Sequence, residues 1–133
     1  MIGANTGLRV SYGSSVASPP SLSYRAAYQW GSSASSKTFT SCDVGTASGT
    51  RYVVVGVCGE AGSGTNSLTA ISVGGASGSV LVNASSSSTS GAFAAIGIAA
   101  CTSGTTADVA LTFNTTILYH GITVWATYDL TAA

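Results

Sequence analysis

Charge is what this sequence has least of. Four Lys/Arg and four Asp/Glu make 6% of the 133 residues and sum to zero, whereas soluble domains average about 25% charged. Arg9, Arg25, Lys37 and Arg51 are scattered along the chain, as are Asp43, Glu60, Asp108 and Asp129. Nucleic-acid binding needs clustered cations that displace counterions, so that class is set aside, and the eight charges are read as solvated surface groups. Long apolar runs are missing too. No stretch approaches the roughly 18 continuous apolar residues of a membrane helix, and Met1–Val10 has no cationic start leading into an apolar run. Neither a membrane partner nor a targeting segment is expected. Helical spacing is absent from every window. The two prolines stand together at Pro19-Pro20, where they block ladder donation and helix entry.

What is present is small and neutral. The chain holds 23 Ser, 17 Thr and 17 Gly, with 45% apolar residues. The apolar share and the length suit one domain with a buried core. The exterior is expected to be a hydroxyl and glycine surface. With no net charge it lacks colloidal repulsion and is prone to associate.

Turn-forming clusters recur at Gly31–Ser36, Gly45–Gly49, Gly59–Asn66, Gly74-Gly75, Ser85–Gly91 and Thr102–Thr106, separated by runs rich in Val, Ile, Tyr, Phe and Thr. Such punctuation indicates an all-β sandwich or barrel. Eight strands are predicted, at 22–30, 37–43, 51–58, 67–73, 78–84, 92–100, 107–113 and 118–130. Residues 1–21 are read as an irregular N-terminal arm and 22–133 as the β domain. Val53, Val55 and Val57 share one strand face, as do Val109, Leu111 and Phe113. In the last strand Leu118, His120, Ile122, Val124, Ala126, Tyr128 and Leu130 point to one side, read as the core, which suits the middle of a sheet. Gly74-Gly75 between β-rich runs predicts a tight hairpin, since both turn positions tolerate positive φ.

Catalytic patterns are not visible. The one histidine, His120, lies on an apolar strand face and is read as a satisfied, half-buried core residue. No Gly-x-Ser-x-Gly elbow leads into a helix. The four acids are spread out, without the facing pair of a glycosidase or the acid-rich loop of a calcium site. Gly59-Glu-Ala-Gly-Ser-Gly lacks the Lys-Ser/Thr ending of a phosphate loop. No cofactor or metal is implied, and no enzyme is expected.

Cys42, Cys58 and Cys101 are separated by 16 and 43 residues, without a Cys-x-x-Cys zinc pair. Their odd number leaves a thiol for a neighbour in an oxidising medium, so all three are candidates for an interchain disulfide; in a reducing cytosol they are read instead as buried, inert small residues. An internal Cys42–Cys58 bond is disfavoured if 37–43 and 51–58 form a direct hairpin, which separates the two by about 17 Å along the strands, against a limit of roughly 7 Å. Aromatics are the remaining site candidates. Tyr24, Tyr28 and Trp30 alternate along one strand, and Tyr119 and Trp125 share the outer face of the last, offering an interface or a sugar-stacking platform.

Arg51-Tyr-Val-Val-Val-Gly-Val, Leu68-Thr-Ala-Ile-Ser-Val-Gly-Gly-Ala, Phe93-Ala-Ala-Ile-Gly-Ile-Ala, Ala107-Asp-Val-Ala-Leu-Thr-Phe and Gly121-Ile-Thr-Val-Trp together resemble the small β-sandwich virion proteins of tailed bacteriophages, which serve as head decoration, head-fibre or tail-associated subunits. The resemblance covers residues 38–130 and is one of strand pattern, carrying no functional residue across. It implies a two-sheet antiparallel sandwich, jelly-roll-like or immunoglobulin-like. It also implies a subunit made in the bacterial cytoplasm and repeated on the virion, where it binds copies of itself and other virion proteins. The low charge, the N-terminal arm and the odd cysteine point to a trimer or a many-copy lattice. The alternative is a carbohydrate-binding module of a fibre or secreted protein, taking a host-surface glycan on exposed aromatics.

Overall fold

The computed structural model describes residues 19–61, 64–86 and 91–130. The expected N-terminal arm falls outside these up to residue 18. Nine strands follow: β1 (Ser21–Trp30), β2 (Ala34–Asp43), β3 (Tyr52–Ala61), β4 (Leu68–Val73), β5 (Ala76–Ser77), β6 (Ser79–Ser85), β7 (Gly91–Ala100), β8 (Thr106–Ile117) and β9 (Tyr119–Tyr128). There is no helix among the described residues. A five-stranded sheet has the order β1-β9-β3-β7-β6 and a four-stranded sheet the order β2-β8-β4-β5, antiparallel throughout.

The order explains how the chain is wound. β4 and β5 pair about Gly74-Gly75, where φ is 58° and 81°, as a two-residue turn with positive φ at both positions requires. Outward from that turn β3 pairs β7, β2 pairs β8 and β1 pairs β9. The nested pairs are one long antiparallel ribbon rolled into two layers, which is a jelly roll. Of the two sandwich topologies expected, the strand order selects this one. β6 is an addition on the β7 edge.

The Gly74-Gly75 hairpin predicts pairing of 67–73 with 78–84; instead the turn pairs β4 with only the two-residue β5, and 79–85 is β6 of the other sheet. Ala76-Ser77 stays with β4, and the chain crosses to the other sheet at Gly78. A Cβ there would collide with the Ile98 carbonyl and the Ala99 side chain, so only glycine fits the crossing. β2 and β3 lie in opposite sheets, so the direct hairpin assumed for Cys42 and Cys58 does not exist.

Between the layers the core is as the alternation predicts. Val53, Val55 and Val57 of β3 meet Val109, Leu111 and Phe113 of β8, with Phe93, Ile122 and Val124 filling the span. Each of these side chains contributes about 1.5–3 kcal/mol on burial. Gly97 admits Ile71 from the facing sheet, since its missing Cβ leaves the place where Ile71 Cδ1 sits. Two bulges set which side chains join. One, at Arg25 in β1, turns Tyr24 outward while Tyr28 faces in. The other, between Phe39 and Cys42 in β2, places Ser41 at φ 53° and keeps both Phe39 and Cys42 inside.

Candidate functional site

Arg51 sits at the entrance to β3 and is fully buried, which corrects its reading as a solvated charge. Its guanidinium donates to the carbonyls of Gly45, Cys101, Ser103 and Gly104 at 2.5–2.9 Å. Desolvating a cation demands such complete hydrogen bonding. The result is a clamp that fixes the 45–51 and 101–104 loops at one end of the sandwich. Several of the other described charges are also engaged: Asp108 accepts from the Ser41 amide and Asp129 from the Thr50 hydroxyl. Arg25 forms a forked pair with Asp43, its nearest contact 2.9 Å. The Gly45 amide, helped by Arg25, holds the Asp43 carboxyl below its ordinary range against the effect of burial. Lys37 lies 2.8 Å above the centre of the Trp30 ring, a cation–π contact.

His120 is buried, at 5% exposure, between Phe39 and Phe113, with ring centroids 5.9 and 5.7 Å away. The core position agrees with the sequence reading. The satisfied hydrogen bond does not, since neither ring nitrogen has a partner. Burial, and secondarily the Lys37 charge, push its pKa below the ordinary imidazole value, which favours the neutral ring at neutral pH. Among the described residues no group of three His, Cys, Asp or Glu could hold a metal ion, and no helix is long and apolar enough to cross a membrane.

All three thiols are free. Cys42 is fully buried on β2, and burial raises its pKa. Cys101 is buried beside Arg51. Neither can reach another chain, which corrects their place among the interchain candidates. Cys58 remains. It lies within β3 rather than at a strand end, and it is exposed on the outer side of the five-stranded sheet.

The aromatic candidates divide in the same way. Tyr28 registers with Ile122 and faces inward; Trp30 registers with His120 at the end of β1 but stays 38% exposed, with Lys37 over its ring. The Tyr28 hydroxyl accepts a 2.8 Å bond from the Asp43 amide. Tyr24 registers with Trp125 on the outer face, and their rings meet edge to face, centroids 5.1 Å apart and planes at 69°. The bulge at Arg25 breaks the common face expected for Tyr24, Tyr28 and Trp30. Tyr119, 61% exposed, shares the outer face with Trp125.

That outer face is the most unusual surface of the molecule. Across the sheet, rows of registered residues read Tyr24–Trp125–Val54–Ile98, then Ala27–Thr123–Gly56–Ile96–Val82, then Gln29–Gly121–Cys58–Ala94–Ala84. The first row is a ridge of large side chains, and the third, beyond Gln29 at the β1 edge, is a row of small ones. Two adjoining depressions, of about 420 and 620 Å³, share Gln29, Cys58 and Gly121 and follow the small row. The one carboxylate of β3, β7 and β9 on this side is Glu60, beside Tyr119. The outer side of the four-stranded sheet differs: Ser36, Thr38, Ser72, Ala110 and Thr112 form a hydroxyl surface. The neutral hydroxyl exterior expected from composition is therefore true of one sheet and not of the other.

Sequence reasoning passed over Val54, Ile96, Ile98 and Val82 as surface residues. A signal was available: Tyr52–Val57 and Ala92–Ala100 are apolar on both alternating sets, the pattern of a strand covered on both faces. For Arg51 there was none, because the carbonyls that hold it come from two distant loops.

Comparison of the chain with protein-family models, with curated proteins and with solved structures returns no match.

Proposed function

We propose that the chain is a non-enzymatic structural subunit of a bacteriophage particle, a decoration, cement or fibre component that acts by protein–protein assembly. The observation that carries this reading is the apolar outer face of the five-stranded sheet. An antiparallel sheet that meets water alternates polar residues outward. Here the outward set is mostly Tyr, Trp, Val, Ile, Ala and Gly, interrupted by Gln29, Cys58, Thr123 and Thr127, with charge confined to one end. Contiguous apolar surface of this kind marks an interaction site, and aromatic enrichment with depletion of charge is the composition of an interface core. The scarcity of charge over the whole chain supports the same reading, since little opposes self-association. The particle itself is inferred from the resemblance of the strand pattern to that of small phage virion proteins. The jelly roll is a framework common in viral coats, although it also serves lectins and cupins.

The test is recovery with the particle. Virus particles purified from cells that express the chain contain it in many copies, and particles lacking it rebind it to a fixed stoichiometry. A chain absent from purified particles that also binds none would overturn the reading. In that case the binding of oligosaccharides to the outer face, near Tyr119 and Trp125, becomes the next property to measure.

A further inference from the structure

We infer that the outer face of the five-stranded sheet is an isologous interface, closed by the same face of a second copy of this chain. The inference rests on the reading of the chain as an assembly subunit and names the surface and the partner. Three observations lead to it: the relief of the face, its extent and its charge.

The relief is self-complementary. The ridge Trp125–Val54–Ile98 and the trough Gly121–Cys58–Ala94 flank the row through Thr123, Gly56 and Ile96, two residues away on either side. Each is thus displaced from that row by about 7 Å along the strands. A two-fold axis lying parallel to the sheet face along that middle row reverses position along the strands and keeps position across them. It sets the ridge of each copy over the trough of the other. Trp125 then lies over Gly121 of the second copy, Val54 over Cys58 and Ile98 over Ala94, large on small at these three pairs, while Tyr24 falls over Gln29 and, on the axis row, Ile96 and Val82 each meet their own copies. An isologous contact requires this property of a single surface. The trough already has the room, since it holds the two depressions.

The extent suffices. Five strands spaced about 4.8 Å apart, with nine residues from Tyr52 to Glu60 along β3, give a face of roughly 24 by 30 Å. That is on the order of 700 Å² per copy before side-chain relief is counted, close to the roughly 800 Å² per partner of a stable interface.

Charge fits as well. Glu60 is the one carboxylate among the outward residues of β3, β7 and β9, and it stands at the end of the face opposite Tyr52. The same two-fold brings Glu60 to Tyr52 of the second copy, whose phenol is a hydrogen-bond donor. No carboxylate meets another carboxylate in this register.

Cys58 gives the direct test, because it lies in the trough and is the exposed thiol beside buried Cys42 and Cys101. In native protein, alkylation with a maleimide is followed by mass spectrometry over a dilution series. The inference expects Cys58 to be protected at high concentration and to gain reactivity by about tenfold or more on dilution, following mass action. Val54→Lys, which places a cation on the ridge, is expected to be monomeric by light scattering, with Cys58 reactive at every concentration. Ala110→Lys, on the outer side of the other sheet, is expected to keep both the mass and the protection of the wild type. If Val54→Lys does not fold, the dilution series on the wild type decides alone. A wild-type oligomer whose Cys58 is freely alkylated at all concentrations overturns the inference and leaves the assembly reading standing on another surface. A wild-type monomer with reactive Cys58 also overturns it. Its binding to particles then tests the assembly reading separately.

Discussion

His120 and Arg51 show opposite ways of burying a polar side chain. The Arg51 guanidinium is satisfied by four backbone carbonyls. Removing it leaves those acceptors dry, and bonds to a charged donor contribute about 1.5–3 kcal/mol each. Arg51→Met is expected to lower stability by at least about 3 kcal/mol in urea unfolding, with the losses concentrated in the 45–51 and 101–104 loops. A variant within about 1 kcal/mol of wild type would show that the loops hold themselves. His120 lacks any partner, so replacement by an apolar residue removes a penalty instead of a bond. His120→Met is expected to stabilise by about 1 kcal/mol at neutral pH. The sign of the pH dependence follows from the lowered pKa. The unfolded ring takes up a proton below 6.5, and the folded ring resists it. Stability is therefore full above pH 6.5 and falls as the pH drops below it. The Asp43 contribution, with its carboxyl held below 3.8, fades only in stronger acid. Melting temperatures of wild type are expected to decline between pH 6.5 and pH 3.8 more steeply than those of His120→Met. Parallel curves would contradict the account of a buried neutral imidazole.

At the scale of elements, the turns and the crossings are the sensitive points. Gly78→Ala forces a Cβ onto the Ile98 carbonyl where the chain changes sheets. A cost of about 1–3 kcal/mol is expected, as for other overpacking changes. Gly49→Ala meets nothing within 4 Å and is expected to leave the urea midpoint unchanged or slightly raised. A similar loss in both would mean that the crossing is not specifically constrained. Val55→Asp, on the inward face of β3, is expected to prevent cooperative folding.

Much of this was legible in the sequence. Period-two alternation gave the inward sets of β3, β8 and β9, and the Gly74-Gly75 pair gave the hairpin. What the sequence concealed depends on tertiary pairing. The bulges at Arg25 and Ser41 reverse a face within one strand, and they are set by partners in β9 and β8 rather than by local composition. The crossing at Gly78 read as the start of a strand, because the collision that requires glycine there is with β7. Cys58 appeared to end a strand because Gly59 and Glu60 are weak strand formers, yet register with β7 and β9 carries β3 on to Ala61.

On the scale of the whole molecule, the two outer faces have different chemistry. One is hydroxyl-bearing and suited to water. The other is aromatic and aliphatic, with the hydrophobic character of a domain core cut open. Low charge and zero net charge give the chain little means of keeping copies apart. The central claim is that the five-stranded face is covered by protein in the working state. Light scattering on three proteins tests it most directly: wild type, Val54→Lys on the apolar face, and Ala110→Lys on the hydroxyl face. The account predicts that wild type and Ala110→Lys have at least twice the 13.0 kDa mass of the chain, and that Val54→Lys alone falls to the monomer. Equal masses for all three proteins would contradict it.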